Sequence, residues 1–169
     1  MNQQEFVSLI DPFKDKVYRL AKRLLVSSDE AQDATQDILV KLWDKKKKLE
    51  TYQNVEALAM TMTKNYCLDQ LKSKRASNIK LIHTNFTDRE PPLDKKVEDQ
   101  DSWDWVEKMI NELPEQQKVI IQLRDIEQYE FEEIAKVLEM SETAVRVALS
   151  RARKTIREKM TKTHQYGIS

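Results

Sequence analysis

At 169 residues, with 40% hydrophobic side chains, the chain is long enough for one compact domain or two small helical ones. A single glycine, Gly167, excludes glycine-rich phosphate-binding loops, and Cys67 with only His83 and His164 excludes an internal disulfide and a zinc cluster. Basic and acidic side chains number 29 each, which taken alone argues against nucleic acid. Their distribution reverses that impression. Acids outnumber bases from 91 to 139, whereas from 140 to 169 Glu142 and Glu158 stand against Arg146, Arg151, Arg153, Lys154, Arg157, Lys159 and Lys162. No stretch approaches the roughly 20 apolar residues of a membrane span, and MNQQEFVSLIDPFKDK has no basic region followed by a long apolar one. A reduced, cytoplasmic setting without membrane insertion is expected.

Along 3–25, Phe6, Leu9, Ile10, Phe13, Val17, Leu20, Ala21 and Leu24 recur at helical intervals, with Pro12 placed in the first turn of the longer helix. Lys14, Lys16, Arg19, Lys22 and Arg23 read as its solvated face. Ser27-Ser28-Asp29-Glu30 has the pattern of a capping box and predicts a helix start. That helix buries Ala31, Ala34, Ile38 and Leu42 and leaves Asp33, Gln36, Asp37 and Lys41 on another face, which periodicity alone cannot tell from an ordinary solvated one. Lys45 to Lys48 suit its negative end. Asn54 can cap the next helix, whose stripe is Val55, Leu58, Ala59, Met62, Tyr66 and Asp69. Beyond it the chain turns basic at Lys72, Lys74, Arg75 and Lys80. Lys64, Asn65 and Tyr66 just upstream make a set able to hold one unstacked base and its phosphates.

From Ser77 to Asp101 periodicity is lost, Pro91-Pro92 forbids a continuous helix, and Asp88, Glu90, Asp94, Glu98, Asp99 and Asp101 make the stretch acidic. It reads as a flexible linker between residues 1–76 and 102–165. The second half opens with Trp103, Val106, Met109, Ile110 and Leu113, stopped by Pro114. A helix follows with Val119, Ile120 and Leu123 inward and Gln116, Gln117, Lys118 and Arg124 outward. Phe131, Ile134, Ala135 and Leu138 then form one short stripe. After Glu139-Met140-Ser141, with Ser141 a good cap, Val145, Leu149, Ala152 and Ile156 form a second. Arg146, Ser150, Arg153 and Arg157 line the exposed face of the last helix, with Arg151 and Lys154 beside it. This is a helix-turn-helix whose basic second helix suits a DNA major groove, and the tail after Met160 reads as frayed.

The order of these parts is recognisable. ELPEQQKVIIQLRDIEQYEFEEIAKVLEMSETAVRVALSRARKTIRE resembles region four of bacterial RNA polymerase sigma factors, and DEAQDATQDILVKLW with NVEALAMTMTKNYCLDQLKSKR resembles region two. Two such regions with a short linker resemble the extracytoplasmic-function class of the sigma-70 family. The resemblance implies an all-α fold of two small helical domains, no catalysis and no cofactor, with core RNA polymerase and promoter DNA as partners and an anti-sigma factor as inhibitor. It implies docking on the clamp helices of the largest polymerase subunit by Asp33, Gln36 and Asp37, flanked by Lys41 and Trp43. Asn65 would contact a flipped minus-ten base, with Lys64, Lys72, Lys74 and Arg75 on phosphates. Arg146, Ser150 and Arg151 would face minus-thirty-five bases, and Arg153, Lys154 and Arg157 phosphates.

Several positions depart from the family pattern. Glu139 replaces a common turn glycine, Glu130 a capping Ser or Thr, Leu58 an aromatic, and Val147 and Ala148 polar residues, which points to an altered promoter preference. The alternative from the pattern alone is a free-standing helix-turn-helix regulator. A hydrolase or metal enzyme has no nucleophile–base pair or ligand cluster to support it.

Overall fold

The computed structural model describes the backbone of residues 1–84 and 102–167 and the side chains of 1–78 and 103–162. Among these residues there are nine α-helices, one π-helical turn and no strand. Helix α1 (Gln3–Ile10) starts at Asn2, which forms a capping box with Glu5. The expected long first helix is divided: Asp11, Pro12 and Phe13 form a turn before α2 (Lys14–Leu25), so Pro12 precedes the second helix and does not open it. A proline has no amide for a continuing helix, and the turn lets α1 fold back with Phe6 and Ile10 buried.

Ser27 Oγ accepts the Glu30 amide at 3.2 Å and starts α3 (Ser28–Asp44), but the Glu30 carboxylate turns to Lys74 Nζ at 2.6 Å where a capping box was expected. The short α4 (Lys46–Leu49) follows. Asn54 Oδ1 accepts the Ala57 amide at 2.9 Å and caps α5 (Val55–Thr84), which carries 77–84 of the expected linker as helix; residues 85–101 lie outside the described residues. The second half comprises α6 (Ser102–Asn111), α7 (Glu115–Ile121), the π-helical turn (Gln122–Ile126), α8 (Phe131–Leu138) and α9 (Glu142–Gly167). The last helix runs through the tail that the sequence pattern read as frayed.

The predicted stripes of α3, α7 and α9 are buried: Ala31, Ala34, Ile38 and Leu42; Val119, Ile120 and Leu123; Val145, Leu149 and Ala152. Each large apolar side chain taken out of water here contributes about 1.5–3 kcal/mol. In α5 the deepest line is Ala59, Met60, Thr63 and Cys67, rotated from the expected Leu58–Met62–Tyr66 stripe, because the helix packs on α2 and α3 on one side and on α8 on the other. Trp103, expected in the core, is 56% exposed.

Buried apolar residues of both halves, Met109 apart, belong to one continuous core. A polar network runs along the seam. Arg23 Nε donates to Gln122 Oε1 at 2.8 Å, its Nη1 to Asn111 Oδ1 at 3.0 Å and Glu107 Oε1 at 3.1 Å, and its Nη2 to Glu107 Oε2 at 2.9 Å. Gln122 Nε2 passes the chain to Glu127 Oε2 at 2.9 Å, and Arg19 holds both Glu127 oxygens at 2.7 and 2.8 Å. Arg23 is therefore not on a solvated face, being 7% exposed, and Arg19 stays exposed yet bonds Glu127, because the side of α2 that bears them receives the second half. Lys118, expected to point outward, is likewise buried where α7 meets α2. Burial lowers its pKa, while the bond to Glu127 raises that of Arg19.

Candidate functional site

Three groups of side chains were expected to carry function, and the fold treats them differently. Asp33, Gln36, Asp37 and Lys41 are all exposed on one face of α3, because the buried stripe of that helix occupies the opposite side. Val40, which the pattern did not single out, lies among them and is 57% exposed, giving the polar face an apolar centre. Its signal was its spacing of three and four residues from Asp37, Gln36 and Asp44. Trp43 departs from the group: its ring meets Phe6 edge-on at 5.1 Å and carries Lys46 Nζ at 3.7 Å, so it joins α1 to α3.

A second residue ties the α3 face to α5. Tyr66 Oη donates to Asp37 Oδ2 at 2.5 Å, and Lys41 Nζ stands 5.1 Å from the centroid of its ring. The hydrogen bond to Asp37, with burial behind it, pushes the phenol up to about 12. Its neighbour Cys67 is buried in the core, and desolvation pushes the thiol up to about 12 as well.

The expected minus-ten group is dispersed. Asn65 and Lys72 are exposed on α5. Lys64 is 8% exposed, and its Nζ donates to the carbonyl of Val137 at 3.0 Å, near the C-terminal end of α8, where an ammonium suits the helix dipole. Lys74 is paired with Glu30 of α3 and Arg75 with Glu115 of α7. Three of the five thus have internal partners, and for Lys64 and Arg75 the partner lies in the other half.

In the helix-turn-helix, Ser141 Oγ accepts the Ala144 amide at 3.0 Å and starts α9, while Glu130 and Glu133 form a reciprocal capping box on α8. Glu139, in the place of a turn glycine, adopts the left-handed conformation with φ 55°. Ser150, Arg151, Lys154 and Arg157 are exposed. The Arg146 guanidinium stacks on Phe131 at 4.1 Å, with Arg124 on the same ring at 4.2 Å, so its direction is set before any ligand arrives. Arg153 forks onto Asp125 in the π-helical turn, which raises its pKa. Val147 is 41% exposed beside this row, whereas Ala148 is buried and cannot face a base. Among the described residues no group of His, Cys, Asp and Glu could hold a metal, and no helix is long and apolar enough to cross a membrane.

Comparison with known proteins matches both halves. Residues 9–77 fit the family described as Sigma-70 region 2 and residues 103–156 that described as Sigma-70, region 4. The chain is 21% identical to the ECF RNA polymerase sigma factor SigW of Bacillus subtilis, over 94% of this chain and 90% of that protein. It is 26% identical to the ECF RNA polymerase sigma factor SigE of Mycolicibacterium smegmatis, over 91% of this chain but 61% of that protein. Among solved structures it resembles the sigma factor RpoE in complex with the anti-sigma factor NepR from Bartonella quintana. That match has a TM-score of 0.74, with 23% identity, 94% of this chain and 98% of that one. It also resembles CnrH in complex with the cytosolic domain of CnrY, with a TM-score of 0.67, 20% identity, 95% of this chain and 90% of that one.

Proposed function

The chain is an extracytoplasmic-function member of the sigma-70 family, and we propose that its two halves divide the work of starting transcription at promoters for core RNA polymerase. Residues 1–76 dock on the clamp helices of the polymerase through Asp33, Gln36, Asp37 and Lys41 and present Asn65 and Lys72 to the minus-ten element. Residues 102–165 place α9 in the major groove of the minus-thirty-five element, with Arg146, Ser150 and Arg151 toward bases and Arg153, Lys154 and Arg157 toward phosphates. Bond-making belongs to the polymerase, and the chain works in the cytoplasm with no chemistry of its own. The observation that carries this is the coexistence, in sigma order, of an exposed carboxylate–amide face on α3 and a basic recognition helix.

The contact of Lys64 with Val137 gives the free chain a closed form in which part of the DNA-facing side of α5 is covered, so engagement includes parting the halves. RpoE is found with the anti-sigma factor NepR, which supports an inhibitor of that kind here. The test is Asp37→Lys: core-polymerase affinity is lost while thermal unfolding is unchanged, and undiminished affinity would remove α3 as the docking face. A gel shift of promoter DNA with and without core enzyme separates this from a free-standing regulator, which alone would bind specifically.

A further inference from the structure

The α3 face is not a set of independent surface charges. Asp37 receives a hydrogen bond from another helix: Tyr66, on α5, donates to its Oδ2 at 2.5 Å. The same ring lies under Lys41, one turn along α3 from Asp37. Tyr66 is half-buried and packs against the core, so its position is set by the interior, whereas Asp37 and Lys41 are exposed and would otherwise sample several rotamers. Tyr66 is also the immediate neighbour of Asn65 on the helix expected to meet single-stranded DNA.

We propose that Tyr66 is a positioning residue for polymerase docking: it holds the Asp37 carboxylate and the Lys41 ammonium in their docking orientation and ties that face in register to the minus-ten helix. This rests on the docking role given to the α3 face. The phenol occupies one carboxylate oxygen from the protein side and leaves the other for a donor on the partner, so bonding to Tyr66 does not compete with docking. A side chain ordered before the encounter spares the complex part of the cost of ordering it. A phenylalanine at 66 would keep the packing and the ring beneath Lys41 but lose the donor to Asp37.

The experiment measures the affinity of the full-length chain for core RNA polymerase by competition against a fluorescent sigma. Tyr66→Phe is expected to bind about five- to tenfold more weakly, the size of one ordinary net hydrogen bond because the Asp37 carboxylate is exposed, with thermal unfolding little changed. In an Asp37→Ala background, Tyr66→Phe is expected to cause no further loss, which a general weakening of the fold would not produce. Unchanged or tighter binding of Tyr66→Phe, or the same loss with and without Asp37, overturns the proposal. Asp37→Lys in the same assay separates the two levels. If it binds normally, the docking face itself is wrong; if it fails to bind while Tyr66→Phe binds fully, only the role of Tyr66 falls.

Discussion

Replacing Arg23 with alanine would remove four hydrogen bonds, all from α2 to the second half, so the loss falls on the closed form and not on the packing of either half by itself. Stripping one partner from a fully buried ion pair costs about 3–5 kcal/mol. The Glu107 side chain is 32% exposed, so water recovers part of its solvation, and about 2–3 kcal/mol is the better figure here. That shifts the balance between closed and open forms by roughly 30- to 150-fold. Lys64 reports it, because its amine is covered only while α8 lies on α5.

Trace acetylation read by mass spectrometry gives the assay, with the exposed Lys72 on the same helix as internal standard. In the parent chain Lys64 reacts slowly relative to Lys72. In Arg23→Ala its rate rises toward that of Lys72, and the radius of gyration from solution scattering grows. Arg23→Lys, which keeps the charge but not the planar fork, falls between the two. Slow Lys64 labelling and an unchanged radius in Arg23→Ala, with helix content intact, would refute the reasoning. The apolar seam of Met60, Leu123, Ile134 and Val137 would then suffice to hold the halves.

Arg146→Ala and Arg151→Ala each weaken transcription from a minus-thirty-five-dependent promoter, by about 1–3 kcal/mol where the side chain makes a bidentate base contact, measured in reconstituted runoff assays. Glu139→Gly relieves a left-handed residue and raises unfolding stability by about 0.5–1 kcal/mol in urea titration. The Cys67 thiol is pushed from 9.0 up to about 12 by burial. Between those values the unfolded chain has released a proton that the folded chain keeps. Its contribution is therefore whole below pH 9 and is lost as pH rises toward 12, by up to about 1.4 kcal/mol per pH unit. Cys67→Ala flattens that alkaline slope, and an unaltered slope would show that the thiol is not its source.

What could be read from the chain was what local periodicity and capping encode. The buried line Ala31–Ala34–Ile38–Leu42, the caps at Asn54 and Ser141, and the two stripes of the helix-turn-helix each lie within a few residues and stand where expected. The exposed α3 face followed from the same periodicity. The burial of Arg23 and the partner of Arg19 were missed because a cation facing a carboxylate on another helix has the same helical spacing as one facing water, and Glu107 and Glu127 lie 84 and 108 residues away. The cover over Lys64 in the free chain was invisible for a similar reason, because the Val137 carbonyl that meets it is 73 residues away. A helix packed on two sides, as α5 is, also has no single apolar stripe, so the periodicity pointed to Met62 and Tyr66 and missed Met60 and Cys67. In α9, Ala148 looked available to DNA only because a small side chain is compatible with either environment.

These internal partners bear on how a chain of zero net charge can act on DNA. Lys74 is held by Glu30, Arg75 by Glu115 and Arg153 by Asp125, so three of the expected phosphate contacts are met in the free chain by a carboxylate in the place a phosphate would take. All three pairs are substantially exposed, and such pairs are worth no more than about 1 kcal/mol each. They are weak enough to be exchanged for phosphates, yet together they reduce the attraction of the free chain for bare DNA, which rests on unpaired cations. The parting of the halves proposed for polymerase docking would separate Arg75 from Glu115 and uncover Lys64 without help from DNA. The pairs Lys74–Glu30 and Arg153–Asp125 lie within single halves and must be exchanged at the promoter itself. Charge reversal at Glu30 or Asp125 should therefore alter DNA affinity in the holoenzyme, whereas reversal at Glu115 should alter the closure of the free chain. Equal effects of all three on Lys64 labelling would show that the acids do not divide in this way.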